Sequence, residues 1–419
     1  MKKKRENAMK TQKFFPVLLT GLALAAPLFS VASQTASPAS PQVVEVRVHV
    51  STGGRFIGDL RMEDFGILED GRLQSIDSLA LVRGGSVARR EGTEVSPSRL
   101  ERSYTLLFQA VDWDPSLIEA IDYLFGSVLK PGDSMTLVTP TKPYHLQSDA
   151  LASKSKAALS KGMQDVLRKD ILRGGGEFRD LINDLKRLTK AISGSTTNFD
   201  ENMESDVTME PAGGFGLEMQ IDRYRQALMK MEGIRLVDEA KLLSFAGSLK
   251  AVPGQKTVIL FYQREYRPEI NSATMNRLMS LYQENPDILL NLMDLFHFYK
   301  REKTFNADVV KKAFADAGIS FHFIFMEKKS QRVFGGTMRE QSEDIYPGFT
   351  EIARATGSIS ESSQYPAVSF NRAAEISENY YLLSYTPGAY SPDGGFRTIA
   401  VRVKGGKYDV SNRLGYYAK

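Results

Sequence analysis

From residue 104 to residue 325 the chain alternates short apolar runs with amphipathic stretches, a pattern that few architectures satisfy. Tyr104-Thr105-Leu106-Leu107-Phe108, Met135-Thr136-Leu137-Val138-Thr139, Thr257-Val258-Ile259-Leu260-Phe261-Tyr262 and Ile319-Ser320-Phe321-His322-Phe323-Ile324-Phe325 are each apolar at most positions. A strand apolar on both faces has to be covered on both, the condition met by a parallel sheet between layers of helix. Helical stretches lie between these runs. Asp114-Pro115 predicts a capped start for a helix reaching about residue 129, and further stretches run from about 217 to 250 and from 306 to 317. The expectation is a doubly wound, mostly parallel α/β domain over residues 102–362, with helical insertions at 150–216 and 271–302. Within the first insertion, residues 194–216 are rich in Gly, Ser, Thr and Asn and read as a loop.

The flanking segments follow a different period. Val44, Val46, Val48 and Val50 alternate with Glu45, Arg47 and His49, as in a half-buried strand, and Asp70-Gly71 sits between two further β-rich runs as a hairpin turn would. Residues 43–83 bury too little surface to stand alone. The β-rich runs within 378–419, separated by Thr386-Pro387-Gly388 and Pro392-Asp393-Gly394-Gly395, offer a partner, and the two segments are expected to form one small antiparallel β domain with the middle inserted between them.

Charge and the leader belong together. Residues 1–13 carry Lys2, Lys3, Lys4, Arg5, Lys10 and Lys13 against Glu6, a net +5; of 54 basic and 50 acidic residues, 48 and 49 then remain, a net −1. The basic footprint of a nucleic-acid binder is therefore absent from the rest of the chain. After the basic start comes an apolar run from Phe14 to Phe29 and the small residues Ser30 and Ala32, the order of a secretory signal, with 1–33 as signal peptide and 34–42 as linker. The expected location is outside the cytoplasm, periplasmic or secreted. An uncleaved anchor is the competing reading, and no later segment reaches spanning length. The absence of cysteine removes disulfides, thiolate metal sites and cysteine nucleophiles.

Catalytic signatures are missing: there is no Gly-x-Ser-x-Gly, no His-Glu-x-x-His and no dinucleotide fingerprint. His49, His145, His297 and His322 are scattered and read as packing or solvated residues. The loop Gln109-Ala110-Val111-Asp112-Trp113-Asp114-Pro115-Ser116 follows the first apolar strand, where α/β sheets concentrate function. Asp112, Asp114 and Ser116 stand at alternate positions and can offer oxygens to Mg²⁺; the simpler reading makes Asp114 a helix cap and Asp112 a solvated acid.

Asp64-Phe65-Gly66-Ile67-Leu68-Glu69-Asp70-Gly71-Arg72-Leu73-Gln74, Tyr380-Tyr381-Leu382-Leu383-Ser384-Tyr385-Thr386-Pro387 and Arg413-Leu414-Gly415-Tyr416-Tyr417 resemble the flanks of bacterial exported proteins built around a von Willebrand factor A-like domain. Leu129-Lys130-Pro131-Gly132-Asp133, Pro253-Gly254-Gln255-Lys256-Thr257 and Ile352-Ala353-Arg354-Ala355-Thr356-Gly357 are similar to connections within that fold. The family's metal-ion-dependent adhesion site uses Asp-x-Ser-x-Ser after the first strand and a later acid. Here the corresponding positions hold Gln109, Val111 and Trp113, and the later acid falls on Gln263. A neutral amide keeps an oxygen but not the charge that compensates a dehydrated divalent ion.

The resemblance thus implies a degenerate site without cofactor, and a non-enzymatic module that binds a protein partner through Gln109, Asp112, Trp113, Gln263 and Glu265. The alternative is Mg²⁺-dependent adhesion through the shifted set Asp112, Asp114 and Ser116. A hydrolase using Asp112 and Glu265 is the remote third.

Overall fold

The computed structural model describes residues 43–93, 100–146, 148–197, 214–299 and 305–419. The expected signal peptide and linker, and most of the loop expected at 194–216, lie outside them.

The apolar runs become the centre of the molecule. Arg102–Gln109, Gln255–Gln263 and Ile319–Met326 form adjacent parallel strands, with Ser134–Val138 and Ser360–Ser363 added in parallel on either side. Pro143–Leu146 closes one edge antiparallel. Every residue of Ile319–Met326 is buried. Helices cover one face with Leu117, Ile121, Leu167, Ile171 and Phe370, and the other with Phe245, Val310, Phe314, Phe349 and Ile352. Such a strand cannot reach an edge without exposing a row of Phe and Ile side chains, so its apolar pattern dictates a central place.

Residues on either side of this sheet meet in two further sheets. Val44–Thr52 lies between Tyr380–Tyr385 and Asp409–Asn412, antiparallel to both, and Tyr380–Tyr385 continues onto Ile76–Arg83. Phe65–Glu69 pairs with Phe396–Val403 and, across the Asp70-Gly71 turn, with Arg72–Gln74. Asp70 and Gly71 both have positive φ, the requirement of the two-residue turn that matches strand twist. The two sheets close on Val46, Val48, Ile67, Leu79, Tyr381, Leu383 and Tyr385. A two-stranded ribbon, Tyr266–Ile270 with Gly336–Glu340, is also antiparallel.

The expectation of a doubly wound, mostly parallel, von Willebrand factor A-like fold is therefore overturned. Among the described residues three of the four sheets are antiparallel, and the central one is mixed. The apolar runs carried the sequence reading because they are long and unbroken. The strands that tip the balance are those of the flanking sheets, where Val44–Thr52 pairs with Tyr380–Tyr385 and Phe65–Glu69 with Phe396–Val403, and the ribbon strand Tyr266–Ile270, whose Arg, Pro and Glu hid it from an apolar pattern.

The helical excursions pack on each other. Phe178, Leu185, Ile192, Ile221, Tyr224, Leu228, Leu278, Leu292 and Leu295 form one buried cluster. The stretch from 217 to 250 is two helices, Gly214–Arg235 and Glu239–Lys250, because Asp238 accepts a hydrogen bond from the amide of Lys241 (3.0 Å) and starts the second. No helix among the described residues is long and apolar enough to cross a membrane.

Candidate functional site

The three central strands end together at Gln109, Gln263 and Met326. This is also where the chain order reverses: the first strand is followed by its neighbour Ser134–Val138 on one side, and Gln255–Gln263 begins the other. Crevices in α/β sheets open at such points.

Gln263 is the pivot of this crest. It is 6% exposed, and its Oε1 accepts hydrogen bonds from the backbone amides of Val111 (3.0 Å) and Asp112 (2.9 Å), while its Nε2 donates to the carbonyl of Asp112 (3.3 Å). The amide side chain thus holds the loop after the first strand through both its acceptor and its donor. A carboxylate can accept the two N–H bonds but cannot donate to the carbonyl, so the loop's geometry is written for Gln.

Asp112 is held from the other side. Its carboxylate takes the ammonium of Lys328 on Oδ2, and the guanidinium of Arg179 lies 3.9 Å from Oδ1. Arg179 also donates to the carbonyls of Val111 and Leu172, joining the crest to the helical insertion. Gly175 makes that junction possible: a Cβ there would overlap the carbonyl oxygen and Cα of Val111. Asp114 belongs to a separate arrangement. Its Oδ1 accepts from the amide (2.9 Å) and hydroxyl (2.7 Å) of Ser116, closing a turn, and the helix itself begins at Leu117. Asp112 faces Lys328, and Asp114 faces Ser116. Among the described residues no group of three or more His, Asp or Glu side chains is placed to hold a metal ion.

The remaining members of the expected surface differ in exposure. Gln109 is half-buried, and its Oε1 is a buried oxygen without a hydrogen-bond partner among the described residues. Trp113 is half-buried against the cluster formed by the first strand and its helices. Glu265 is 4% exposed and its Oε2 accepts from Arg235, whose guanidinium also lies 3.6 Å from Asp344 and donates to the carbonyl of Gln341 (2.5 Å). Burial opposes the charge on Arg235, but Glu265, Tyr262 and Asp344 outweigh it and hold the guanidinium above its ordinary range. Burial raises the Asp344 carboxyl in spite of Arg235. Glu265 is spent inside the molecule, anchoring the start of the ribbon.

Beside Asp112 the crest opens into a cleft of about 130 Å³. Arg179 and Lys186 from the helix Gly176–Thr197, Arg264, and Lys328 and Lys329 after the third strand line it, together with the apolar side chains of Phe178, Ile182 and Met338. Sequence reasoning named Asp112 and Glu265 but missed every one of these cations. Lys328-Lys329, one residue beyond the apolar run that ends at Met326, was the available signal. Arg179 and Lys186 carried none, because their helix was read only as decoration.

No protein-family model matches the chain, and no curated protein matches it in sequence. Among solved structures, the human COPII-coat protein Sec24c is similar at a TM-score of 0.27 and 7% identity, over 76% of this chain and 44% of that one. The chain thus spans less than half the length of that protein, and a likeness of this size carries no argument. The crest defines the class of site: a neutralised acidic loop beside a small basic cleft.

Proposed function

We propose that this chain is a non-enzymatic protein-interaction module, exported from the cytoplasm, that binds a protein partner without a metal ion. The observation that carries the reading is the state of Asp112. A carboxylate intended for a divalent ion has to be free to ligate it; here Lys328 supplies the compensating positive charge and Gln263 supplies the loop's rigidity. Asp112 thus needs no ion to balance its charge, which supports a docking face that works without one. Export rests on the basic, apolar and small-residue order of residues 1–33.

The test is thermal unfolding of the full chain with and without millimolar Mg²⁺ or Mn²⁺. The expected melting temperature is unchanged, because only a ligand bound by the native state raises it. A rise abolished by Asp112→Ala would transfer support to the shifted Asp112, Asp114 and Ser116 site. Reproducible turnover in a broad hydrolase screen, lost on Asp112→Asn, would instead support an enzyme.

A further inference from the structure

We propose that the cleft beside Asp112 receives an acidic side chain, flanked by an apolar one, from the protein partner; this rests on the interaction reading above and specifies its chemistry. Five basic side chains line the cleft, Arg179, Lys186, Arg264, Lys328 and Lys329, against two acidic ones, Asp112 and Glu265. Neither acid offsets an incoming anion. Glu265 is held by Arg235, behind the cleft wall, and Asp112 is shared by Lys328 and Arg179.

Asp112 also shows what this wall recognises, since it is itself a carboxylate lodged between an ammonium and a guanidinium. The cations further out are less committed. The Lys186 ammonium donates to the neutral side chain of Gln331, a bond that an anion replaces at a gain in charge assistance, and Lys329 is exposed. Arg264, by contrast, is already paired, 3.1 Å from the half-buried Glu340 of the ribbon.

Size and apolar lining decide between anions. About 130 Å³ accommodates one or two side chains, and Phe178, Ile182 and Met338 in its lining leave apolar area that a bare phosphate does not cover. A nucleic acid needs a basic track, and the chain beyond residue 13 has a net charge of −1. A Glu or Asp beside a Leu-like neighbour answers both kinds of lining at once, the cations with its charge and the apolar side chains with its neighbour.

The test is fluorescence anisotropy of the full chain with a labelled Glu/Leu peptide and its Gln/Leu counterpart. Lys186→Glu and Lys329→Glu change side chains that make no buried hydrogen bond, and each variant is expected to keep the wild-type melting temperature, which is measured alongside. Each is expected to weaken the Glu/Leu peptide about tenfold, with a steeper loss as salt rises, and Lys407→Glu, outside the cleft, to leave it unchanged. Equal binding of the Gln/Leu peptide, insensitivity to both reversals, or displacement by inorganic phosphate or duplex DNA at the peptide's own potency overturns the proposal. A partner captured equally by wild type and both reversals overturns the cleft and leaves the interaction reading standing. An Asp112-dependent rise in melting temperature with Mg²⁺ overturns both.

Discussion

Gln263 and His322 show how single side chains set the behaviour of this protein. Replacing Gln263 by Ala leaves the amides of Val111 and Asp112 without their acceptor, and the cost expected is about 2–3 kcal/mol, read as a lower urea midpoint at unchanged slope. His322 is fully buried within the Phe- and Ile-rich strand Ile319–Met326, with Nε2 3.0 Å from the hydroxyl of Ser377 and Nδ1 without a partner among the described residues. Burial, with Arg47 and His49 nearby, lowers its pKa to about 3. The unfolded chain therefore binds the proton first: this contribution is complete above the ordinary histidine value and drains away as pH falls toward 3. Between pH 7 and pH 5 the loss expected is about 2 kcal/mol, and His322→Leu should flatten that part of the urea-midpoint profile. At this scale the sequence spoke unevenly. Gln263 stands out as an amide closing an apolar strand, but Lys328 and Arg179 reach Asp112 from positions that no local spacing connects.

Helices and strands carry the next level of constraint. The helix pair Lys156–Gly174 and Gly176–Thr197 breaks at Gly175, whose missing side chain lets the break press on the Val111 carbonyl. Gly175→Ala forces those backbones apart, and the expected cost is about 1–3 kcal/mol in chemical denaturation, together with weaker Glu/Leu peptide binding because Arg179 moves with the break. Gly176→Ala, whose added carbon meets only the far end of Arg179 at 4.0 Å, is the matched control. The glycine run was legible as a break, because three adjacent glycines end a helical pattern whatever lies beyond. Its contact with the crest was not, since a close backbone approach leaves no mark on composition. Likewise the helix read as starting at Asp114-Pro115 begins at Leu117, since Asp114 spends its oxygen on Ser116. Asp114 has the right chemistry for a cap and uses it on a turn instead.

Arg102 ties the large units together. Its guanidinium meets Asp133 through Nε (2.9 Å) and Nη2 (2.5 Å), donates to the carbonyl of Val128 (3.2 Å) and lies 3.5 Å from Glu378, just before the strand Tyr380–Tyr385. Arg102→Met strands a buried Asp133 carboxylate, and the cost expected is about 3–5 kcal/mol in equilibrium unfolding. The overall topology was only partly readable. Unbroken apolar runs announced the central strands and alternation the flanking ones; which flanking strand lies beside which was hidden, because Val44–Thr52 and Tyr380–Tyr385, more than three hundred residues apart, take their register from geometry that no window of sequence contains. That separation has a consequence in time. Val44–Thr52 takes its long ladders from residues 380–385 and 409–412, so a ribosome adding roughly 5–20 residues each second leaves it without them for tens of seconds. Until that last tenth arrives the first strand keeps its long edges open, so the flanking sheets are the part of this molecule that closes last.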